Sequence, residues 1–187
     1  MKEEIKNIVK ILNSGGVILY PTDTLWGIGC DATNEKAVQR IFELKQRADS
    51  KSMLILTDNV AKVERVVEAM PEIAYQLIEV SENPLTIVYP KGKNLAPNLL
   101  AEDGSVGIRV TNEIFSKSLC EAFRRPIVST SANISGEPSP MSFSEISEAI
   151  ISGVDYVVEY GRNFPPAAKA SSILKLEVDG TFKILRE

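Results

Sequence analysis

Ser172-Ile173-Leu174-Lys175-Leu176-Glu177-Val178-Asp179-Gly180-Thr181-Phe182-Lys183-Ile184-Leu185 is the stretch that decides the class of fold. It reads as two strand-like runs, 172–178 and 182–185, on either side of Asp179-Gly180. That dipeptide readily supplies the positive φ angles of a tight hairpin turn. A terminal antiparallel hairpin does not belong to a purely parallel sheet. Working back from it, further strand-like runs stand at 17–20, 53–56, 85–89, 106–110, 127–130 and 156–159. Helical patterns lie between them. Ile5, Ile8, Val9 and Leu12 recur at helical spacing and end at Gly15-Gly16. Asn34 can cap a helix to about 44 that carries Ala37, Val38, Ile41 and Phe42. Further helices are expected at 60–70, 72–80 (after Pro71), 113–123 and 143–151. The mixture predicts an α/β fold, a twisted mixed sheet with flanking helices. No repeat, low-complexity tract or linker interrupts it, so 1–187 reads as one domain.

Composition narrows the function. The chain has 187 residues, 44% hydrophobic and 25% charged, ordinary for a globular domain with a sizeable core. Lys and Arg number 21 against 25 Asp and Glu, a net charge of −4, so no global polycation drives nucleic-acid binding. Cys30 and Cys120 lie far apart, with no metal-type spacing, which fits a reducing cytoplasm. The N-terminus lacks a signal-peptide plan, and no apolar run reaches membrane-spanning length. There is no histidine, which rules out a Ser-His-Asp triad and imidazole base chemistry within this chain. Any catalysis must rest on positioning and electrostatics.

Two distant segments carry the strongest chemical signal. Lys45-Gln46-Arg47 puts two cations at i and i+2 where a helical pattern ends, and Lys51 follows. Arg grips phosphate bidentately and Lys acts as a point charge, although a solvated helix end is the commoner fate of such a cluster. Ser129-Thr130-Ser131-Ala132-Asn133-Ile134-Ser135-Gly136 is rich in hydroxyls at a strand end, where open α/β sheets bind ligands. A flexible polar loop is the plain alternative. Tyr20-Pro21-Thr22-Asp23-Thr24-Leu25-Trp26-Gly27-Ile28-Gly29-Cys30 reads as a strand leading into a loop with two hydroxyls and two glycines, or as a structural turn anchored by Trp26. Arg109 is out of place in the apolar strand Val106–Val110, so it needs an anionic partner, either a ligand or a structural carboxylate. Together the signals suggest a polyphosphate or nucleotide.

Thr22-Asp23-Thr24-Leu25-Trp26-Gly27, Lys45-Gln46-Arg47 and Ser129 to Gly136 resemble, in order and spacing, the hallmark segments of the YrdC/Sua5 family. The resemblance covers essentially the whole chain. It implies a YrdC-like fold around a concave basic cavity, in a short form without the extra C-terminal domain of longer members. It also implies synthesis of threonylcarbamoyl-adenylate from L-threonine, bicarbonate and ATP with release of pyrophosphate. A partner complex would then carry the threonylcarbamoyl group to tRNA. Matched by motif, Lys45, Arg47, Ser131 and Asn133 resemble the tetrad that holds phosphates and substrate. Lys51, Ser105, Ser139 and Arg186 resemble further ATP-side positions, and Thr22, Thr24, Arg109, Ser129 and Ser172 resemble threonine-side positions. The resemblance implies no protein metal cage, Mg²⁺ being held by the ATP phosphates. Departures from the family pattern fall at Trp26, at Ala48 and Ser52, at 81–86 and at 167–170. Two other readings of the same basic concavity are a non-catalytic RNA-binding module and a carbamoyl-adenylate-forming carbamoyltransferase domain.

Overall fold

The computed structural model describes residues 1–46, 53–165 and 170–187. Among them, nine strands form one sheet. In chain order these are β1 (Ile18–Tyr20), β2 (Gly27–Gly29), β3 (Leu54–Thr57), β4 (Leu85–Tyr89), β5 (Val106–Val110), β6 (Ile127–Ser131), β7 (Tyr156–Val157), β8 (Ser172–Leu176) and β9 (Phe182–Arg186). They lie in the order β7-β1-β2-β6-β3-β5-β4-β8-β9. The pairs β1–β7, β3–β5 and β4–β8 are parallel and the other five antiparallel, so the sheet is mixed. The terminal hairpin forms as expected: Gly180 takes φ +85°, and the Thr181 N–H and hydroxyl both donate to Asp179.

Among the described residues, six α-helices flank it: α1 (Lys2–Asn13), α2 (Glu35–Leu44), α3 (Val60–Glu64), α4 (Glu72–Val80), α5 (Ile114–Phe123) and α6 (Glu148–Gly153). Asn34 caps α2 by accepting from the Ala37 N–H, and the Glu113 carboxylate caps α5 through the Phe115 and Ser116 N–H groups. Helix α1 packs on α5, and α5 on β3. Ile8, Leu12, Ile41, Phe42, Ile55, Phe115, Leu119 and Val128 are sealed in the core between them. None of the described helices is long and apolar enough to cross a membrane.

Three expectations change. The helix expected over 60–70 stops at Glu64 because the chain beyond it turns to pair with residues 91–93. Glu68 N–H donates to Lys91 O, Lys93 N–H to Val66 O, and Val67 bridges Gly92. Val66 completes a turn onto Val63 O and Val67 begins the bridged course; both are buried. The helix expected over 143–151 is instead a 3₁₀ turn at Phe143–Glu145 followed by α6. Gly27-Ile28-Gly29, expected within a loop, is strand β2. The Tyr20 ring lies over it, so a Cβ on Gly29 would stand 2.6 Å from both Tyr20 Cε1 and Val128 O. Only glycine leaves room for that ring, whose hydroxyl donates to Val128 O at 3.1 Å.

Candidate functional site

Strand register sets the face of the site. Side chains alternate across a strand, and directly paired residues share a face. Ser131 pairs with Gly27, Ser129 with Leu54, Arg109 with Thr86, Thr86 with Ile173 and Ile173 with Arg186. One face of the sheet therefore carries hydroxyls on β6, Arg109 on β5 and Arg186 on β9. A cavity of about 440 Å³ opens over it. Thr22, Thr24 and Trp26 from the loop after β1 form one wall, and Ser139 and Met141 form another. Ala170, Ser171 and Arg186 close the side of the terminal hairpin.

The two decisive segments meet. Lys45 is buried at the end of α2, and its ammonium donates to Ser131 O and, at 2.6 Å, to Asn133 O. The backbone reinforces the junction, since Ser135 N–H donates to Lys45 O at 2.8 Å. Gln46 takes φ +50°, a left-handed conformation uncommon for a residue with a side chain, and so ends the helix at the point where Lys45 turns inward. Arg47 and Lys51 lie outside the described residues. Asn133 donates through Nδ2 to Ile134 O at 3.0 Å and Glu137 O at 2.8 Å. Those two carbonyls orient the amide, and its buried Oδ1 has no donor among the described residues.

The loop of the first motif is tied by its own hydroxyls. The Thr22 hydroxyl donates to Leu25 O at 2.7 Å and accepts from the Thr24 N–H at 3.2 Å. Trp26 is both anchor and wall, with its ring tilted 4.9 Å from that of Phe143. Arg186 donates through Nε to Ser171 O at 2.8 Å and through Nη2 to the Ser171 hydroxyl at 3.2 Å. That hydroxyl meets the Thr86 hydroxyl at 3.0 Å, extending the polar line toward Arg109. Arg109 has a structural carboxylate beside it: its Nε lies 3.0 Å from Asp23 Oδ1. Burial is the main influence on both groups, pushing the Asp23 carboxyl above its ordinary pKa and the Arg109 guanidinium below its own.

Of the expected residues, Thr22, Thr24, Arg109, Ser129, Ser131, Ser139 and Arg186 line the cavity, and Lys45 and Asn133 stand at its β6 end. Two lie elsewhere. Ser105 is at the far end of β5 from Arg109, about 13 Å along the strand, in the turn where its N–H donates to Asp103. Ser172 is displaced by register: Ser171 and Ile173 face the cavity, so the residue between them faces away. Ser171 is thus the serine that lines the cavity, and Asp23, beside Arg109, is the other residue that local sequence does not single out. The Ser171-Ser172 doublet was a signal for the first; the lone Arg109 in an apolar strand was one for the second.

The same chain can be set beside known proteins. Residues 10–187 match the family model Sua5_yciO_yrdC, described as "Telomere recombination". The threonylcarbamoyl-AMP synthase of Pseudoalteromonas translucida is 34% identical over 165 residues, covering 85% of this chain and 88% of that protein. E. coli YciO superposes with a TM-score of 0.85 at 25% identity, covering 100% of this chain and 90% of its own. P. abyssi Sua5 complexed with L-threonine superposes with a TM-score of 0.79 at 27% identity over 92% of this chain. This chain spans only 50% of that longer protein.

Proposed function

This chain belongs to the Sua5/YciO/YrdC family, and we propose that it joins L-threonine, bicarbonate and ATP into L-threonylcarbamoyl-adenylate, with release of pyrophosphate. This would be the first step of threonylcarbamoyladenosine formation in tRNA, with residues 1–187 acting as one domain. A threonylcarbamoyl-transfer protein complex would take the product to tRNA. One observation carries the reading. The Lys45 ammonium is joined to the Ser131–Asn133 turn at the end of a cavity that also takes Thr22, Thr24, Arg109 and Arg186.

The chemistry needs no covalent enzyme intermediate. The threonine amine combines with bicarbonate to give a carbamate and water. A carbamate oxygen then attacks the α-phosphorus of ATP as the bond to pyrophosphate breaks. Carbamates are short-lived in water, and a walled hollow shields one. Holding reactants in near-attack geometry supplies on the order of 7 kcal/mol or more. Lys45 and Arg47, with Ser131 and Asn133, would face the phosphates, offsetting charge as it builds. Lys51, Ser139 and Arg186 would complete the nucleotide side. Thr22, Thr24, Arg109, Ser129 and, in place of Ser172, Ser171 would receive threonine, its carboxylate going to Arg109.

Mg²⁺ fits this site as a passenger on the triphosphate, where it would neutralise phosphate charge. No group of three or more carboxylates or cysteines among the described residues is arranged to cage a metal. The Asn133 Oδ1, which has no donor among the described residues, is a neutral oxygen of the kind that accepts from metal-bound water. The reading is tested by incubating the purified protein with labelled threonine, bicarbonate and ATP over a range of metals. Pyrophosphate release that needs all three substrates, together with a threonylcarbamoyl-adenylate product, is the expected result. Absence of both under every metal condition overturns it.

A further inference from the structure

The Asp23–Arg109 pair is a poor device for stability alone. The two side chains are 13% and 3% exposed, their nearest atoms stand 3.0 Å apart, and neither Asp23 Oδ1 nor Arg109 Nε makes an aligned hydrogen bond. A buried ion pair without good hydrogen bonds recovers little of its desolvation cost, and packed apolar groups would serve the fold as well or better. Its placement is more informative. Arg109 lines the main cavity. Asp23 instead borders a separate hollow of about 170 Å³, with Pro84, Leu85, Val110 and Asn112. The carboxylate thus meets the guanidinium from behind, and a molecule in the main cavity meets Arg109 alone.

A guanidinium is a rigid planar fork, and bidentate capture of a carboxylate depends on which of its edges faces the ligand. A carboxylate 3.0 Å from Nε draws that corner of the fork toward the side away from the main cavity by charge attraction, without an aligned hydrogen bond. We infer that Asp23 is a positioning residue, holding Arg109 so that its cavity-facing edge takes the carboxylate of the amino-acid substrate. The inference rests on the proposed role of Arg109. It has a definite sign. If Asp23 merely competed with substrate for Arg109, removing its charge would tighten binding; as a positioning group, removing it weakens binding.

The test compares threonine with threoninol, which keeps the amine and both carbons of the side chain but lacks the carboxylate. Affinities are measured by calorimetry on the intact chain with a non-hydrolysable ATP analogue present. Asp23→Asn is expected to weaken threonine by about 10- to 100-fold, the scale of a misplaced contact, and to leave threoninol and nucleotide affinities unchanged. Asp23→Glu, with its charge retained one methylene further out, is expected to weaken threonine by a smaller factor; it also serves if the Asn variant does not fold. A purely structural role would weaken all three ligands together, and that pattern overturns the inference. So does unchanged or tighter threonine binding in Asp23→Asn. Arg109→Lys separates the two readings. If it abolishes the preference for threonine over threoninol while Asp23→Asn does not, only the positioning role fails; if it leaves the preference intact, the carboxylate site itself is wrong.

Discussion

Two of the arginine–aspartate pairs among the described residues are built to opposite rules. Arg40 on α2 meets Asp155, which lies just before β7, through two hydrogen bonds of 2.8 and 3.1 Å. Asp155 also accepts the Val17 N–H at 2.7 Å, so one carboxylate ties α2 to the β1–β7 edge. Both side chains are well exposed, at 44% and 42%. Arg109 is buried and Asp23 nearly so; Asp23 Oδ1 and Arg109 Nε stand 3.0 Å apart without an aligned hydrogen bond, and the Asp23 carboxylate turns also to its own backbone N–H and the Thr111 hydroxyl. The ionisation of each pair follows its geometry. Hydrogen bonding to Arg40 leads in holding the Asp155 carboxyl below its ordinary pKa, whereas desolvation leads in pushing Asp23 above it. Where geometry is satisfied the charged forms are favoured; where it is not, burial dominates. The first pair is a clamp on the fold, and the second sets a carboxylate behind an arginine that lines the cavity.

The largest expected effect comes from conservative change at the two arginines. Arg109→Lys keeps the charge but loses the fork, and kcat/KM for threonine should fall about 100-fold, the usual scale for one lost transition-state contact. Arg40→Lys should leave it within about twofold, since an exposed ion pair contributes little. Pyrophosphate release measured against threonine concentration reads both. Equal losses would erase the distinction between clamp and site.

Lys45 sharpens the contrast because it is buried like Arg109 and well bonded like Arg40. Lys45→Ala removes the ammonium from the Asn133 carbonyl and from the Ser131 carbonyl, which keeps the Asn133 N–H as a donor. Stability should fall by about 1–3 kcal/mol, the cost of unsatisfied buried groups, alongside a loss in kcat/KM of about 100-fold. Denaturant unfolding and steady-state kinetics measure the two separately. Full stability with lost activity would mean that the ammonium serves the ligand and not the turn.

These pairs also show where sequence stops being legible. The hairpin could be read because Asp179-Gly180 encodes its own turn, and α2 because Asn34 and the spacing of its apolar residues are local signals. Strand β2 could not, because Gly-Ile-Gly has no strand propensity of its own. It becomes a strand because β1 and β6 flank it and the Tyr20 ring needs its missing side chains. The misfit of Arg109 in an apolar strand announced a buried anion, but nothing near it in sequence named Asp23, which arrives on a loop from the other half of the sheet. Lys45 announced a cation near a helix end, and only the left-handed Gln46 and the β6 carbonyls explain why its side chain points inward. The choice between Ser171 and Ser172 is a matter of register, which a doublet of identical residues cannot specify.

The smallest effect is the most diagnostic, because it turns on sign. The folded-state pKa of Asp155 lies below its ordinary value of 3.8, so its contribution is fully present above that pH and disappears as pH falls through the depressed value. Relative to Asp155→Asn, the wild type should therefore be more stable by about 0.3–1 kcal/mol at neutral pH, an exposed pair's worth, and lose that margin in acid. Asp23 has the opposite shift. Its folded-state pKa lies above 3.8, so burying the ionised form is a cost at neutral pH. That cost is relieved as pH falls from the raised value toward 3.8, and the wild type should gain on Asp23→Asn over that window. High salt should flatten the Asp155 difference and spare the Asp23 one, because screening reaches exposed charges first. Urea unfolding of the two Asn variants and the wild type between pH 7 and about pH 3 therefore gives two slopes of opposite sign. Slopes of the same sign would mean that the nearly buried Asp23 is held by its arginine as well as the exposed Asp155 is, and the case for a charge kept for a ligand would lose its physical ground.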